Sequence, residues 1–258
     1  MLKVENLIGG YGSREVVNNI SFSIEEGDVL CVLGPNGCGK STLLKLILRF
    51  LPKKSGKILL QGLNIDKLDR KSMAHLVSYI PQSDYMPFPY TVIEMVTMGR
   101  SSRLGRWETP SKNDIDFAYG SLEKLRITHL ADKLYTQISG GERQLVLMAR
   151  ALCQDTKILV MDEPTASLDF SNQQLIMDAI DTAVLEGRSV ILTTHSPSQP
   201  FTIATKVLLL SKGETVGFGK PLDVLTSESL EDVYGIPMDI VAIEDRNSAR
   251  RNICLPVH

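Results

Sequence analysis

The segment Gly34 to Ser41 reads GPNGCGKS, follows the apolar run DVLCVLG and opens the stretch STLLKLILRF. It fits the pattern G-x-x-x-x-G-K-[ST], which works as the turn between a strand and a helix. Its glycines permit positive φ and bare the backbone. Successive amide N–H groups can then form an anion nest at a helix start, where the peptide dipoles add about half a positive charge. The candidate loop set is Gly34, Pro35, Asn36, Gly37, Cys38, Gly39, Lys40, Ser41 and Thr42. Lys40 is expected to bring a full charge to the β and γ phosphates of a nucleotide, and the Ser41 hydroxyl to ligate Mg2+. Leu43, Leu46, Ile47 and Phe50 are expected to mark one face of the helix that follows. A glycine-rich turn without a ligand is the plainer alternative, but it has no need of the lysine and the hydroxyl.

ILVMDEP, Ile158 to Pro164, is a continuous apolar run of the kind found in buried parallel strands, and it ends in Asp162 and Glu163. Open α/β sheets bind ligands at the carboxyl ends of their strands. Neighbouring side chains leave a strand in opposite directions, so the two carboxylates need not share a task. Asp162 suits a magnesium shell, and Glu163 suits polarising an attacking water. Alone, the pair would read as the start of a turn ahead of Pro164. Beside the Gly34 to Ser41 loop, the chemical reading prevails.

Around these two segments the pattern predicts an α/β fold. LKVENL, NNISFSI and SGKILLQG alternate like half-buried strands between turn signals, which predicts a partly antiparallel N-terminal β subdomain. Pro87, Pro89 and Pro110 mark where the chain leaves the sheet. Helical spacing through Val92, Met95 and Val96, and from about 111 to 152 with a break near 127 to 139, predicts an inserted α-helical subdomain over about 83–150. The α/β pattern resumes at KILVM, followed by a polar helix over about 171–186, the strand SVILTT and a hairpin in VLLLSKGETVGFG. The expected division is a single domain over 1–237, with its core and β subdomain over about 1–82 and 151–225. A short helical appendage then leads to a tail over 238–258.

With 43% hydrophobic and 22% charged residues, the chain has an ordinary globular composition, not a disordered or fibrous one. Lys plus Arg number 28 against 30 for Asp plus Glu, so no long-range field would steer it to nucleic acid, which is not expected as a partner. Cys31, Cys38, Cys153 and Cys254 form no CxxC pair and have no His at zinc spacing, which suggests free thiols. Cys38 occupies a variable position of the loop and reads as incidental, although a helix start lowers a thiol pKa and would favour sensitivity to thiol reagents. The N-terminal MLKVENLIGGYG has no uninterrupted apolar core, and LLKLILRFL is broken by Lys45 and Arg49. The chain is therefore expected neither to be exported nor to insert itself, and would reach a membrane by binding another protein.

Ile138 to Gln144 reads ISGGERQ, ahead of an apolar helical stripe through Leu145, Met148, Ala149 and Leu152. Ser139 is a candidate N-cap, and Gly140 and Gly141 would let an anion approach the helix start. From spacing alone, a flexible helix start is an equal reading. His195, in TTHS, ends a strand at the ligand edge, which favours function over a core histidine.

GPNGCGKS, Gln82 in YIPQ, ISGGERQ, ILVMDEP, SLD (Ser167 to Asp169) and His195 in TTHS occur in the order and spacing of an ABC-transporter nucleotide-binding subunit. The resemblance spans Tyr11 to about Pro237. It implies a P-loop ATPase with a mainly parallel core sheet, hydrolysing ATP with Mg2+ as a head-to-tail homodimer. In such a dimer each ATP lies between the phosphate loop of one copy and the Ser139–Gly141 segment of the other. By the same resemblance Tyr11 looks like the aromatic stacked on adenine, Gln82 like a ligand of Mg2+ and water, and His195 like the γ-phosphate sensor. Asp169 looks like the link between the two sites. Two positions depart from the family: Ile138 stands for the usual Leu, and Glu142 for the commoner Gln, which places an acidic group near the partner's phosphate.

MGRSSRLG and KPLDVLTSESLEDVYGIPM resemble subunits of importers for iron chelates, haem and vitamin B12, with molybdate or tungstate importers close by. This implies a peripheral position on the cytoplasmic face of the membrane, permease subunits received at Pro87 to Trp107, and an extracytoplasmic binding protein acting indirectly. The rival class is a soluble ABC ATPase, of which the iron-sulfur assembly type also has one cassette. The importer-like tail and the 83–107 loop argue against it.

Overall fold

The computed structural model describes residues 1–82, 88–105, 107–166, 168–244 and 250–257, which group into two compact units, 1–68 with 189–258 and 69–188. The chain begins with β1 (Leu2–Tyr11), β2 (Arg14–Ile24), β3 (Val29–Leu33), α1 (Lys40–Ile47), β4 (Lys53–Leu60) and β5 (Leu63–Asn64). It continues through α2 (Arg70–Leu76), β6 (Val77–Ile80), α3 (Val92–Thr97), α4 (Lys112–Lys124), α5 (Gly140–Cys153), β7 (Ile158–Met161) and α6 (Phe170–Leu185). It closes with β8 (Ser189–Thr194), α7 (Pro200–Ile203), β9 (Lys206–Ser211), β10 (Glu214–Gly219), α8 (Pro221–Val224), α9 (Ser227–Tyr234), β11 (Met238–Glu244) and β12 (Arg250–Pro256).

The first unit holds an antiparallel sheet in the order β2-β1-β4-β5. Leu2 and Val4 are buried and Lys3 is exposed, the alternation of a half-buried strand. The phase shifts near Asn6, which has φ 47° and lies at a register shift. The same unit holds the strands β10-β9-β3-β8, with β3 parallel to both β8 and β9. All five residues of β3 and all six of β8 are buried, as parallel strands covered on both faces require. Leu33 pairs with Thr194. The glycine loop and His195 therefore leave adjacent strands at one sheet edge.

Helix α1 ends earlier than its apolar spacing predicts. Arg49 has φ 58° just past the C-cap, so Phe50 falls outside the helix and is 60% exposed. The segment expected as a tail is instead a hairpin, with β11 and β12 paired from Met238 with Pro256 to Glu244 with Arg250. Its alternation is short and interrupted by the polar DRNSA, which hides the strands from a pattern search. Of the three arginines after Met238, Arg246 and the Arg250 side chain lie outside the described residues, and Arg251 is exposed.

In the second unit β6 and β7 are parallel, with Ile80 opposite Met161. Helices α3, α4 and α5 pack on one another through Val92, Met95, Val96, Leu122, Leu145 and Met148, all buried. Helix α2, which the sequence pattern did not reveal, is N-capped by Asp69 accepting from the Ser72 N–H. The MGRSSRLG segment acts here as a strap. Arg100 is buried, bonds Asp114 Oδ1 at 3.0 Å and Cys153 O at 3.2 Å, and lies 4.4 Å over the Phe117 ring.

Hydrogen bonds from the Ser111 hydroxyl and amide, then from Arg100, hold the Asp114 carboxyl down to about 2. A carboxyl whose folded pKa is depressed stabilises fully above its unfolded value, near 3.9, and loses that contribution as pH falls through the folded value. Asp114→Asn is expected to melt below wild type at pH 7. Thermal melts should show that gap narrowing between about pH 4 and about pH 2, and a gap independent of pH would refute the assignment.

Candidate functional site

At the end of β3 the backbone turns through Gly34, Pro35 and Asn36 and enters the helix at Gly39, the N-cap of α1 with φ 113°. Gly37 has φ 77°, a conformation side chains other than glycine's rarely adopt. At Gly34 the constraint is space, since a Cβ there would lie 2.3 Å from Leu210 O. Thr42 and Lys40 are buried in the first turns, and Lys40 Nζ donates to Gly34 O at 2.7 Å and Pro35 O at 3.2 Å. The ammonium thus lies against the carbonyl oxygens of its own loop. Cys38 is buried and desolvation raises its pKa, outweighing Lys40 and the helix start. The thiol is therefore not activated as a helix start alone would make it: the side chain packs, and its backbone belongs to the loop.

Tyr11 ends β1 at the hairpin tip, 48% exposed, with Lys45 Nζ donating to its hydroxyl at 3.4 Å. His195 is exposed immediately after β8.

In the second unit the two carboxylates follow the end of β7 and differ in environment. Asp162 is 6% exposed and its N–H donates to Ile80 O at 2.9 Å. Glu163 is half-buried with φ 47°, in the left-handed region where a glutamate backbone is strained. Gln82 Nε2 donates to Glu163 Oε2 at 3.1 Å, so two residues predicted separately meet at one strand edge.

Ser139 caps α5: its hydroxyl accepts the Glu142 N–H at 3.2 Å while Glu142 Oε2 accepts the Ser139 N–H at 2.7 Å. These hydrogen bonds lower the Glu142 pKa, and its carboxylate is committed to the cap. Ser139 and Gly140 are exposed, and a Cβ at Gly140 would meet open space, whereas one at Gly141 would lie 2.8 Å from Asn172 Nδ2. Asp169 is the N-cap of α6, accepting from Asn172 N at 2.8 Å; Ser167 lies outside the described residues.

A cavity of about 230 Å³ is lined by Gln82, Tyr135, Arg143, Gln144, Glu163 and Leu168 among others. Sequence reasoning missed Gln144 here. It is buried, and its Nε2 has no hydrogen-bond partner among the described residues. Only burial identifies it, since glutamine on a helix is otherwise an ordinary surface residue.

For Mg2+ the donor chemistry fits. Ser41 and Asp162 offer hard oxygen ligands and Gln82 an amide oxygen. Among the described residues no group of three or more His, Cys, Asp or Glu could hold a metal.

Of the segment Pro87 to Trp107, Pro87 and Arg106 lie outside the described residues. Phe88 is 58% exposed and Trp107 90%. Among the described residues no helix is long and apolar enough to cross a membrane.

Residues 17–166 match the ABC transporter family. The molybdate import ATP-binding protein MolC of Haemophilus influenzae is 39% identical over 240 residues, 92% of this chain and 89% of that protein. The iron(3+)-hydroxamate import ATP-binding protein FhuC of Bacillus subtilis is 34% identical over 258 residues, 98% of this chain and 94% of that protein. A solved inward-facing conformation, attributed to a metal-chelate type ABC transporter, superposes with a TM-score of 0.87 at 36% identity, covering 100% of this chain and 97% of that one.

Proposed function

Because the chain belongs to the ABC transporter family, whose ATP-binding proteins hydrolyse ATP, we propose that it powers uptake of a metal chelate such as iron-siderophore, haem or cobalamin through a membrane permease. The observation that carries this reading is the likeness, along 100% of the chain, to the metal-chelate type transporter. A second reading, molybdate or tungstate uptake, is favoured by the 39% identity to MolC. A soluble iron-sulfur assembly ATPase is the weaker alternative, since the relatives above are transport proteins.

In this proposal the loop Gly34–Thr42 cradles the phosphates, Lys40 neutralises their charge, and Tyr11 stacks on the base. Ser41, Gln82 and Asp162 would hold Mg2+, which when bound neutralises phosphate charge and fixes phosphate geometry. Glu163 accepts the proton of the attacking water, Gln82 orients Glu163, and His195 senses the γ-phosphate. Two copies assemble head to tail, so that Ser139, Gly140 and Gly141 of one meet the nucleotide held by the other, with Asp169 linking the two sites. Permease subunits dock at Pro87 to Trp107, holding the chain on the cytoplasmic face, and the extracytoplasmic binding protein acts only through them.

Purification in mild detergent from native membranes tests this. A multi-helix membrane protein recovered with the chain is the expected result, and its identity narrows the cargo. Recovery only from the soluble fraction with an assembly protein would remove the transporter and leave the ATPase.

A further inference from the structure

The loop after β8 is tied to the C-terminal elements by its backbone. Tyr234, the last residue of α9, donates its hydroxyl to His195 O at 3.5 Å. Two positions on, Cys254 Sγ of β12 donates to Pro197 O at 3.6 Å. Ser198 Oγ then accepts the Cys254 N–H at 2.9 Å. Cys254 is buried, and burial pushes the Tyr234 phenol up, keeping it a neutral donor. These ties add to the loop's own short hydrogen bonds, from Ser196 N–H to Thr194 Oγ1 at 3.1 Å and from Gln199 N–H to Ser196 O at 3.3 Å. Helix α7 is four residues long with Pro200 at its start and no side-chain cap, and the His195 ring is exposed.

We propose that Tyr234 of α9 and the pair formed by Ser198 of the loop and Cys254 of β12 are positioning residues for ATP hydrolysis, fixing the backbone that aims His195. This rests on the reading of His195 as a phosphate-facing group. The three are given no role at the phosphate itself. They act through the loop, where a displacement of about 1 Å can cost on the order of a hundredfold in rate. The hairpin from Met238 to Pro256 thereby has a task in the reaction, and a partner that shifted it would change turnover without contacting the nucleotide.

The test uses the full chain and two readouts, steady-state ATP hydrolysis and amide hydrogen exchange. Ser198→Ala and Tyr234→Phe are expected to lower kcat about fivefold to tenfold with KM for ATP unchanged, and Ser198→Thr to restore it. In both variants the amides of Ser196, Ser198 and Gln199 should exchange about tenfold faster while those of β8 stay protected. On a His195→Ala background neither change should lower kcat further, because residues acting as one unit are not additive. Wild-type kcat and exchange in both variants would overturn the proposal, as would losses that multiply with His195→Ala. Wild-type turnover in His195→Ala itself, with loop exchange still raised in the other two, would instead remove the role of His195 and keep the tether.

Discussion

Glu163→Gln is expected to bind ATP as the wild type does and to hydrolyse it about a hundredfold more slowly or worse, the scale of a lost general base. The geometry makes this substitution a clean probe. Glu163 stands one residue past buried Asp162, on a backbone at φ 47° held by the turn in which Ala166 N–H donates to Glu163 O at 3.2 Å. Glutamine keeps the length and can still meet the Gln82 amide, but it cannot take a proton from water. Lys40 and the phosphate loop are untouched, so binding and turnover should separate. Single-turnover hydrolysis beside equilibrium ATP binding reads both, and near-wild-type hydrolysis would sink the role given to Glu163.

Lys40→Ala should act on the other quantity. The lysine is 6% exposed, with its ammonium held against Gly34 O and Pro35 O. Hydrogen bonds to a charged group contribute about 1.5–3 kcal/mol, so ATP affinity should fall roughly tenfold to a hundredfold. Calorimetric titration with ATP measures it. Unchanged affinity would overturn the phosphate-loop assignment, and a melt within a few degrees of wild type would show that the loss belongs to binding and not to folding.

Much of this is legible in the sequence. The Gly34 to Ser41 pattern, the strand ahead of Asp162 and Glu163 and the cap at Ser139 are written in residues that adopt their conformations locally. Other features were illegible or misleading. Cys38 at a helix start implies a lowered pKa, yet burial raises it. That Glu142 closes a capping box is visible only once Ser139 is seen to begin the helix. The cap that Asp169 supplies to α6 is a local feature that the resemblance alone does not state. The segment after Pro237 reads as a tail, yet it pairs as β11 and β12 and reaches the His195 loop through Cys254.

The sequence by itself determined which groups are chemically competent, because glycine φ preferences, helix caps and side-chain charge are properties of a few adjacent residues. Which groups meet was decided only by tertiary pairing. Leu33 beside Thr194 brings the phosphate loop and His195 to one edge, and Ile80 beside Met161 brings Gln82 to Glu163. Such registers follow from burying whole strands at once, a free energy summed over residues distant in the chain, so no short window of sequence carries them.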